Sequence, residues 1–338
     1  MDAPILPREK KSTGMRCLTE IEFVVCSSSG AHGFVFEGIL RALEDHVNRY
    51  AEWRQQTLRG LAGTSGGAIC ALAIALGLER EHREPILKLF SDFESLFPSP
   101  DIVLLVEQFG LEQGNAFRRL IRRLLVAGGL SAATTLRDLD RLLRIDVVFV
   151  AHDLRSGMPV HLSAAAFPDM LVADAVFASC CIPFMFAPVV YGDMLLCDGC
   201  MSEYVPSGYP IDHTLYLIAP PQRGTPTLGS WPEFLLSIVR ATVAAQMPRI
   251  DVLMQLPLSI IAHDESLGDT DLRDVSRMAE MIACGYRIGV AHVLPMVPET
   301  MGRVVLHHVC LITTAMDTRG SESDAPCTEC EIEAGPHA

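Results

Sequence analysis

The first part of the chain alternates short apolar runs with longer amphipathic stretches. Residues 22–26 (EFVVC) are rich in β-branched side chains, which predicts a buried strand. In residues 34–53 the apolar side chains recur at helical spacing, which predicts one amphipathic helix. A second apolar run at residues 58–62 predicts another strand, and the apolar stretch that begins at Ala68 predicts another helix. The order strand, loop, helix therefore occurs twice.

The alternation continues through the rest of the chain. Further strands are predicted at residues 145–154, 158–166, 194–199, 213–220 and 304–313. Helices are predicted at residues 171–180, 231–247 and 275–294, and a mostly helical region interrupted at Pro98 and Pro100 covers residues 84–127. Such alternation is typical of an α/β sheet covered by helices. We expect one α/β domain over residues 16–316, after a flexible segment at residues 1–15 and before an acidic, disordered tail at residues 317–338.

Charge and composition exclude several classes of protein. The net charge of −14 argues against a nucleic-acid binder, which usually carries a basic footprint. The N-terminal residues contain no apolar run of a secretion signal, and no uncharged apolar run reaches the length of a membrane span. The eleven cysteines are scattered, unlike those of a short secreted disulfide scaffold. We expect a cytoplasmic protein with reduced thiols, which could still associate peripherally with membranes.

A serine occupies a Gly-x-Ser-x-Gly frame between the second predicted strand and its helix. In this frame Gly63 and Gly67 flank Ser65. Such a turn exposes the serine hydroxyl at a strained apex, the glycines allow close backbone approach, and the helix N-terminus behind it favours negative charge. A serine that caps an ordinary helix would fit the same five residues. Ser65 is therefore a candidate nucleophile.

A loop of small residues at 27–33 (SSSGAHG) follows the first predicted strand. Its backbone N–H groups could hold an oxyanion or a phosphate. It is not a nucleotide-binding P-loop, because no Gly-Lys-Ser/Thr sequence follows it. A tight connection between strand and helix would look the same.

The candidate proton acceptor for Ser65 is a carboxylate. Asp198 ends a predicted strand and precedes Gly199, at the kind of position where α/β proteins place their sites. An ordinary Asp-Gly turn is the alternative. In a parallel sheet Asp198 and Ser65 would lie at the same edge, because both follow strands. None of the later histidines stands in a loop motif after a strand: His213, His263, His292, His307 and His308.

Four cysteines near Asp198 raise the possibility of a zinc site. Cys197 and Cys200 have the spacing of metal ligands, but Cys180 and Cys181 are adjacent and do not form a second pair of that kind. Small buried apolar side chains account for these thiols better. We expect no metal and no cofactor.

Four segments together, and in the same order, resemble the motifs of the patatin-like phospholipases. They are GAHGFVFEGILRALE from residue 30, GTSGGAI from residue 63, ASCCIPFMFAPV from residue 178 and DGC from residue 198. The resemblance implies a three-layer α/β/α fold with a mostly parallel central sheet. It implies a Ser-Asp dyad in which Ser65 is the nucleophile and Asp198 the base. It also implies an oxyanion hole of backbone N–H groups from Gly30, Ala31, His32 and Gly33.

The activity that the resemblance implies is a phospholipase A-type lipid acyl hydrolase. Its substrates would be fatty-acyl glycerolipids taken from a membrane or a lipid-droplet surface. Residues 90–109 and 231–239 are candidate interfacial or lid surfaces, although apolar stripes at helical spacing are more often core. An acyltransferase or a neutral-glyceride lipase could use the same dyad. A catalytically weak lipid-binding protein is the alternative outside enzymes.

The sequence departs from the pattern of that family at four positions. Ser28 and Ser29 stand where the oxyanion loop usually has two glycines, and His32 replaces the usual Arg or Lys. Cys200 replaces the usual Gly or Ala. Backbone donors tolerate changes of side chain, so we expect these departures to affect the geometry of the oxyanion hole rather than remove it.

Overall fold

A computed structural model of the chain describes residues 20–47, 50–90, 102–221, 231–256, 258–262 and 277–293, all within one unit that covers residues 1–297. The predicted flexible segment, the acidic tail and the predicted strand at residues 304–313 lie outside the described residues. So do three of the histidines named above: His263, His307 and His308.

Ten strands and eleven helices are present in the described part of the chain. The strands are β1 (Phe23–Cys26), β2 (Gly60–Thr64), β3 (Gly110–Glu112), β4 (Asp146–Asp153), β5 (Met158–Leu162), β6 (Phe184–Phe186), β7 (Val189–Tyr191), β8 (Met194–Asp198), β9 (Thr214–Ile218) and β10 (Ser259–Ile261). The helices are α1 (Gly33–His46), α2 (Tyr50–Gln56), α3 (Gly66–Leu76), α4 (Arg80–Phe90), α5 (Ile102–Gln108), α6 (Asn115–Ala127), α7 (Leu136–Leu143), α8 (Val172–Ser179), α9 (Trp231–Ala244), α10 (Met247–Met254) and α11 (Met278–Val293). Among the helices of the described part, none has the length and apolar character of a membrane span.

The central sheet is mostly parallel, as the resemblance implied. Its strand order is β10-β9-β1-β2-β4-β8-β7, and β5 also pairs with β4. The first four pairs in this order are parallel. The pairs β4–β5, β4–β8 and β7–β8 are antiparallel. A separate two-stranded parallel sheet is formed by β3 and β6.

Each face of the central sheet is covered by helices. Successive residues of a strand point to opposite faces, so neighbouring strand residues belong to two different cores. Val24 in β1 and Leu61 in β2 belong to the larger core, which also contains apolar residues of α1, α3, α6 and α8. Their neighbours Val25 and Ala62 belong to a second core with Val239 of α9 and residues of α10. The structure is therefore an α/β/α sandwich, which confirms the predicted fold class.

The prediction of one helix over residues 34–53 is wrong, because the chain forms two helices there. The backbone of Val47, which follows α1, is extended (φ −96°, ψ 99°) and ends that helix. In α2 the indole N–H of the buried Trp53 donates to the carbonyl of Ile21, 3.0 Å away. This bond fixes α2 at the start of β1, where a continuous α1 would not place it.

Candidate active site

The Gly-x-Ser-x-Gly frame forms a sharp turn between β2 and α3. Ser65 is the single residue between the two elements, and its φ of 54° lies in the left-handed region that non-glycine residues rarely adopt. The glycines allow this turn to pack closely. A Cβ atom on Gly63 would lie 2.3 Å from the carbonyl oxygen of Gly67, and one on Gly67 would lie 2.3 Å from that of Ser27. The frame therefore has the geometry of a nucleophile elbow.

The ends of β2 and β8 meet because the two strands share one edge of β4. β2 pairs with β4 up to Val150, and β8 pairs with β4 from Ala151 to Asp153. β5 pairs with β4 over residues 149–153, so it overlaps both partners and must occupy the opposite edge. β2 and β8 therefore lie end to end. Since β2 is parallel to β4 and β8 is antiparallel to it, their carboxyl ends face each other.

This arrangement corrects the expectation that a parallel sheet would bring Ser65 and Asp198 to one edge. The strand that carries Asp198 is antiparallel to its neighbour β4. The two residues approach each other along the line of the β2 and β8 strands instead of side by side. The physical reason is the length of β4. It has eight residues, of which the first five pair with β2, and its last three residues leave a free stretch of that edge for β8.

Ser65 and Asp198 form a direct hydrogen bond. Ser65 Oγ donates to Asp198 Oδ2 over 2.7 Å, and the backbone N–H of Cys200 donates to Asp198 Oδ1 over 2.9 Å. Asp198 is fully buried, whereas Ser65 keeps 6% of its surface exposed. Gly199 is needed for this packing, because a Cβ atom there would lie 2.2 Å from the carbonyl oxygen of Val150. Both carboxylate oxygens are thus held in fixed positions.

The environment makes Asp198 a stronger base than an ordinary aspartate. Burial raises the pKa of its carboxyl to about 6. Hydrogen bonds from the Cys200 backbone and the Ser65 hydroxyl oppose this effect, because they stabilise the ionised form. At neutral pH the group is ionised and can accept a proton. A general base works best when its pKa lies near the working pH.

The loop ahead of α1 packs against the residue that follows Ser65. Gly30–His32 forms a single 3₁₀ turn, in which Gly30 has a φ of 51°. A Cβ atom on Gly66 would lie 3.4 Å from the backbone nitrogen of Gly30. The N–H of His32 donates to the carbonyl of Ser29 over 3.0 Å, so this one of the four predicted oxyanion donors is already occupied. Gly33 begins α1 directly after the turn.

Ser29 lies where this loop contacts the elbow. Its hydroxyl is buried and has no hydrogen-bond partner among the described residues. A Cβ atom would lie only 2.3 Å from this hydroxyl if placed on Gly66, and 3.3 Å from it if placed on Gly33. Ser29 therefore fills the space that these two glycines leave.

Two residues that sequence reasoning did not assign hold the backbone of Ser65. The N–H of Ser65 donates to Ser179 Oγ over 3.0 Å, and Ser179 Oγ donates in turn to the carbonyl of Val150 over 2.6 Å. The thiol of Cys180 donates to the carbonyl of Ser65 over 3.0 Å. Both residues lie in the ASCCIPF segment. This segment is one of the motifs that resemble the family, but its contacts with Ser65 become visible only in the folded structure.

Two of the later histidines considered above, His213 and His292, lie in the described part of the chain and contact backbone carbonyls. The ring nitrogen Nδ1 of His213 lies 3.1 Å from the carbonyl oxygen of Glu20, and that of His292 lies 2.9 Å from the carbonyl oxygen of Ile288. An ion pair near the elbow strand joins His161 Nε2 to Glu203 Oε2 over 2.6 Å. The carbonyl of the same Glu203 accepts a hydrogen bond from Thr64 Oγ1 over 3.0 Å. Glu203 therefore anchors the chain after Asp198 to β5 through its side chain and to the end of β2 through its carbonyl.

The four cysteines around Asp198 are free thiols in a buried environment. Burial, assisted by the charge of Asp198, raises the pKa of Cys180 and Cys200 well above the ordinary value, and that of Cys197 to about 12. Thiols of this kind stay protonated at neutral pH. In the part of the chain that the structure describes, no group of His, Cys, Asp and Glu side chains has the arrangement of a metal site.

Comparison with known proteins identifies a family. The patatin-like phospholipase family model matches residues 24–210, which is more than half of the chain and includes both Ser65 and Asp198. Among curated proteins, no significant relative is found.

Two similar solved structures are VipD from Legionella pneumophila and ExoU from Pseudomonas aeruginosa in its complex with SpcU. VipD is 15% identical with a TM-score of 0.46, and the alignment covers 81% of this chain and 67% of VipD. ExoU is 16% identical with a TM-score of 0.45, and the alignment covers 83% of this chain and 52% of ExoU. The chain thus spans between about half and two thirds of the length of these two proteins. On the evidence of the family model, the chain belongs to the patatin-like phospholipase family of lipid ester hydrolases.

Proposed function

We propose that this chain is a serine acyl hydrolase of the phospholipase A type that acts on glycerophospholipids through a Ser65-Asp198 dyad. The observation that carries the proposal is the 2.7 Å hydrogen bond from Ser65 Oγ to a fully buried Asp198 carboxylate. A nucleophile within hydrogen-bond reach of a base, with the base fixed by a third group, is the general arrangement of activated serines. Here the backbone N–H of Cys200 is the third group.

In the first half of the reaction Ser65 Oγ attacks the carbonyl carbon of the fatty-acyl ester, and Asp198 Oδ2 accepts the hydroxyl proton. The carbonyl oxygen becomes an oxyanion. Backbone N–H groups of the loop at Gly30 and the N-terminus of α3 would stabilise this charge. When the intermediate collapses, Asp198 gives the proton to the departing alcohol oxygen of the lysolipid. The fatty acid remains bound to Ser65 as an ester.

In the second half Asp198 again acts as base. It takes a proton from water, whose oxygen attacks the acyl-enzyme carbonyl. Collapse of the second intermediate releases the fatty acid, and the proton returns to Ser65 Oγ. Each step uses the same oxygen of Asp198, so one carboxylate held in one place is sufficient.

The departures from the family pattern are compatible with this chemistry. Cys200 contributes its backbone N–H to Asp198, and a cysteine provides that donor as well as a glycine does. The fit of Ser29 between Gly33 and Gly66 leaves the loop in contact with the elbow. These contacts favour an active enzyme over a lipid-binding protein without catalysis.

Exposed apolar side chains support a lipid surface as the source of substrate. In the candidate surface at residues 90–109, three large apolar side chains are more than 60% exposed: Val103, Val106 and Phe109. In the surface at residues 231–239, Phe234 and Ile238 are 52% and 41% exposed. Residues 91–101 lie outside the described part of the chain. Exposed aliphatic and aromatic side chains of this kind can enter the boundary of a bilayer or droplet.

Fluorophosphonate labelling and lipid hydrolysis together test the proposal. The wild-type chain should be labelled and should release fatty acid from phospholipid vesicles, whereas Ser65→Ala should lose both by a factor of about 10³ or more. Ser202→Ala is a suitable control because it also removes a buried hydroxyl close to the Asp198 turn, and it should keep both. Turnover near the wild-type rate by folded Ser65→Ala would exclude Ser65 as the nucleophile.

A further inference from the structure

Helix α6 carries four arginines and no acidic residue in a chain whose net charge is −14. Its buried face is apolar and contains Phe117, Leu120, Ile121, Leu124 and Leu125. Arg119 and Arg123 are exposed and Arg122 is half-buried. Residues three and four apart lie on one side of a helix, so these three arginines form one surface, which we call the α6 arginine face.

The arginines of this face have no ion-pair partner among the described residues. Arg118, which precedes them, shows the contrast. Its Nε donates to Asp174 Oδ1 over 2.7 Å, and its guanidinium lies 3.9 Å from the centre of the Phe177 ring. Arg118 therefore has a structural role in joining α6 to α8. No such contact with the described residues holds the α6 arginine face.

The stability of the helix does not explain these charges. Arg119 and Arg123 are four residues apart, and like charges at that spacing destabilise a helix. Cations are favourable near the C-terminus of a helix, but the last turn of α6 contains no basic residue. An anionic ligand outside the protein would relieve the repulsion that the helix itself leaves uncompensated.

The helix that carries the α6 arginine face packs next to elements of the candidate active site. α6 packs on α8, and Ser179 at the end of α8 accepts the N–H of Ser65. The strand β3, which precedes α6, pairs with β6, which begins four residues after Cys180. One helix, α8, therefore links α6 to the turn that carries Ser65.

Apolar side chains accompany the arginines. Val126 lies one turn beyond Arg122 and Arg123 and is 58% exposed. Helix α5, with the exposed Val103 and Val106, is tied to the start of α6 by a 3.1 Å hydrogen bond between the side chains of Gln113 and Gln108. Basic side chains next to exposed aliphatic ones are the composition of a surface that binds an anionic bilayer.

We propose that the α6 arginine face docks on a bilayer that contains anionic phospholipids, and that the aliphatic side chains of α5 and Val126 enter the headgroup region. This inference rests on the proposed function, because it names the class of surface from which the enzyme takes its lipid. An arginine near an anionic membrane strengthens binding by a factor of roughly five, so three together contribute about a hundredfold.

Vesicle co-sedimentation of the Ser65→Ala chain tests the proposal without any hydrolysis. The vesicles are phosphatidylcholine alone, or phosphatidylcholine with a minor share of phosphatidylglycerol. The test variant replaces the three arginines of the face by Gln. The control variant replaces three ion-paired arginines elsewhere by Gln and changes the net charge equally: Arg59, Arg137 and Arg277, which pair with Glu22, Asp169 and Glu280.

The expected result is binding to the anionic vesicles that the test variant loses by about a hundredfold and the control variant retains. Equal binding of the test and control variants would overturn the proposal. So would equal binding of Ser65→Ala to neutral and anionic vesicles, which would assign docking to the apolar side chains alone. If the wild-type chain hydrolyses no ester although its Ser65→Ala form binds the anionic vesicles through these arginines, the proposed function fails and the docking surface stands.

Discussion

Replacement of Asp198 by asparagine should abolish acyl hydrolysis and at the same time stabilise the fold at neutral pH. The asparagine has the same shape as the aspartate. Its Oδ1 can still accept the N–H of Cys200, and its amide can donate to Ser65 Oγ across the present 2.7 Å. The substitution removes the basic oxygen and a negative charge that is fully buried.

The magnitude follows from the pKa of the carboxyl. Burial raises it from 3.8 to about 6, and this difference corresponds to about 3 kcal/mol. A carboxyl with a raised pKa binds its proton more tightly in the folded chain than in the unfolded chain. Its cost to stability is therefore absent below about pH 4, grows as the pH rises to about 6, and is complete above that value. The asparagine side chain of the variant is neutral throughout, so the variant escapes this cost.

Urea denaturation of the wild-type and Asp198→Asn chains at about pH 8 and about pH 4 measures the effect. The variant should be more stable by up to about 3 kcal/mol at the higher pH, and the difference should nearly disappear at the lower pH. Asp153 provides a control of opposite sign. It accepts hydrogen bonds from the backbone N–H groups of Leu195, Arg155 and Ser156, which lower its pKa to about 2. Asp153→Asn should therefore destabilise the fold at neutral pH. If Asp198→Asn is less stable than the wild type at about pH 8, the buried ionised carboxylate does not lower the free energy of unfolding. The claim that burial raises the pKa of Asp198 would then be wrong.

The same pKa predicts that kcat/KM for a soluble ester falls about tenfold per pH unit below about 6, because Asp198 takes up a proton. Activity that stays constant to well below that pH would contradict the role of Asp198 as the base. A second prediction concerns Arg83, whose buried guanidinium pairs with Glu37 at 2.9 Å. Arg83→Ala should destabilise the fold by about 3 kcal/mol in urea denaturation, because it leaves Glu37 buried with less compensation. Arg83→Met combined with Glu37→Gln should recover much of the loss, and no recovery would refute the buried charge as the cause.

Patterns of local periodicity predicted most of the elements that build the sandwich. The strands β1, β2, β4, β5, β8 and β9 and the helices α1, α3, α8, α9 and α11 arise from apolar runs or amphipathic stretches that are visible in the sequence. Elements of three residues carry too few positions to show a period. The strands β3, β6, β7 and β10 were missed for this reason. Gly110 in β3 pairs with Phe184 in β6, residues that are far apart in the chain, and only the fold brings them together.

The sequence was sufficient to identify the residues of the candidate site but not to predict how they are arranged in space. The frame around Ser65 and the turn at Asp198 are short motifs, and their resemblance to a known family supplied the roles. The contact of Ser179 with the backbone of Ser65 depends on how α8 packs against β4, the strand that β2 pairs with, and no local pattern encodes this packing. The raised pKa of Asp198 likewise depends on burial by residues from several elements.

The strained backbone at Ser65 and the burial of Asp198 have one cause, which is the occupancy of a single edge of β4. The last residue of β2, Thr64, is paired with Val150. If β2 continued straight, Ser65 would pair with Ala151, about 3.3 Å further along. That position is already taken by Asp198, the last residue of β8. The chain must therefore leave the sheet at Ser65, which explains its φ of 54°. The collision that forces the serine out of the strand also places the carboxylate directly beside it, inside the sheet and away from water.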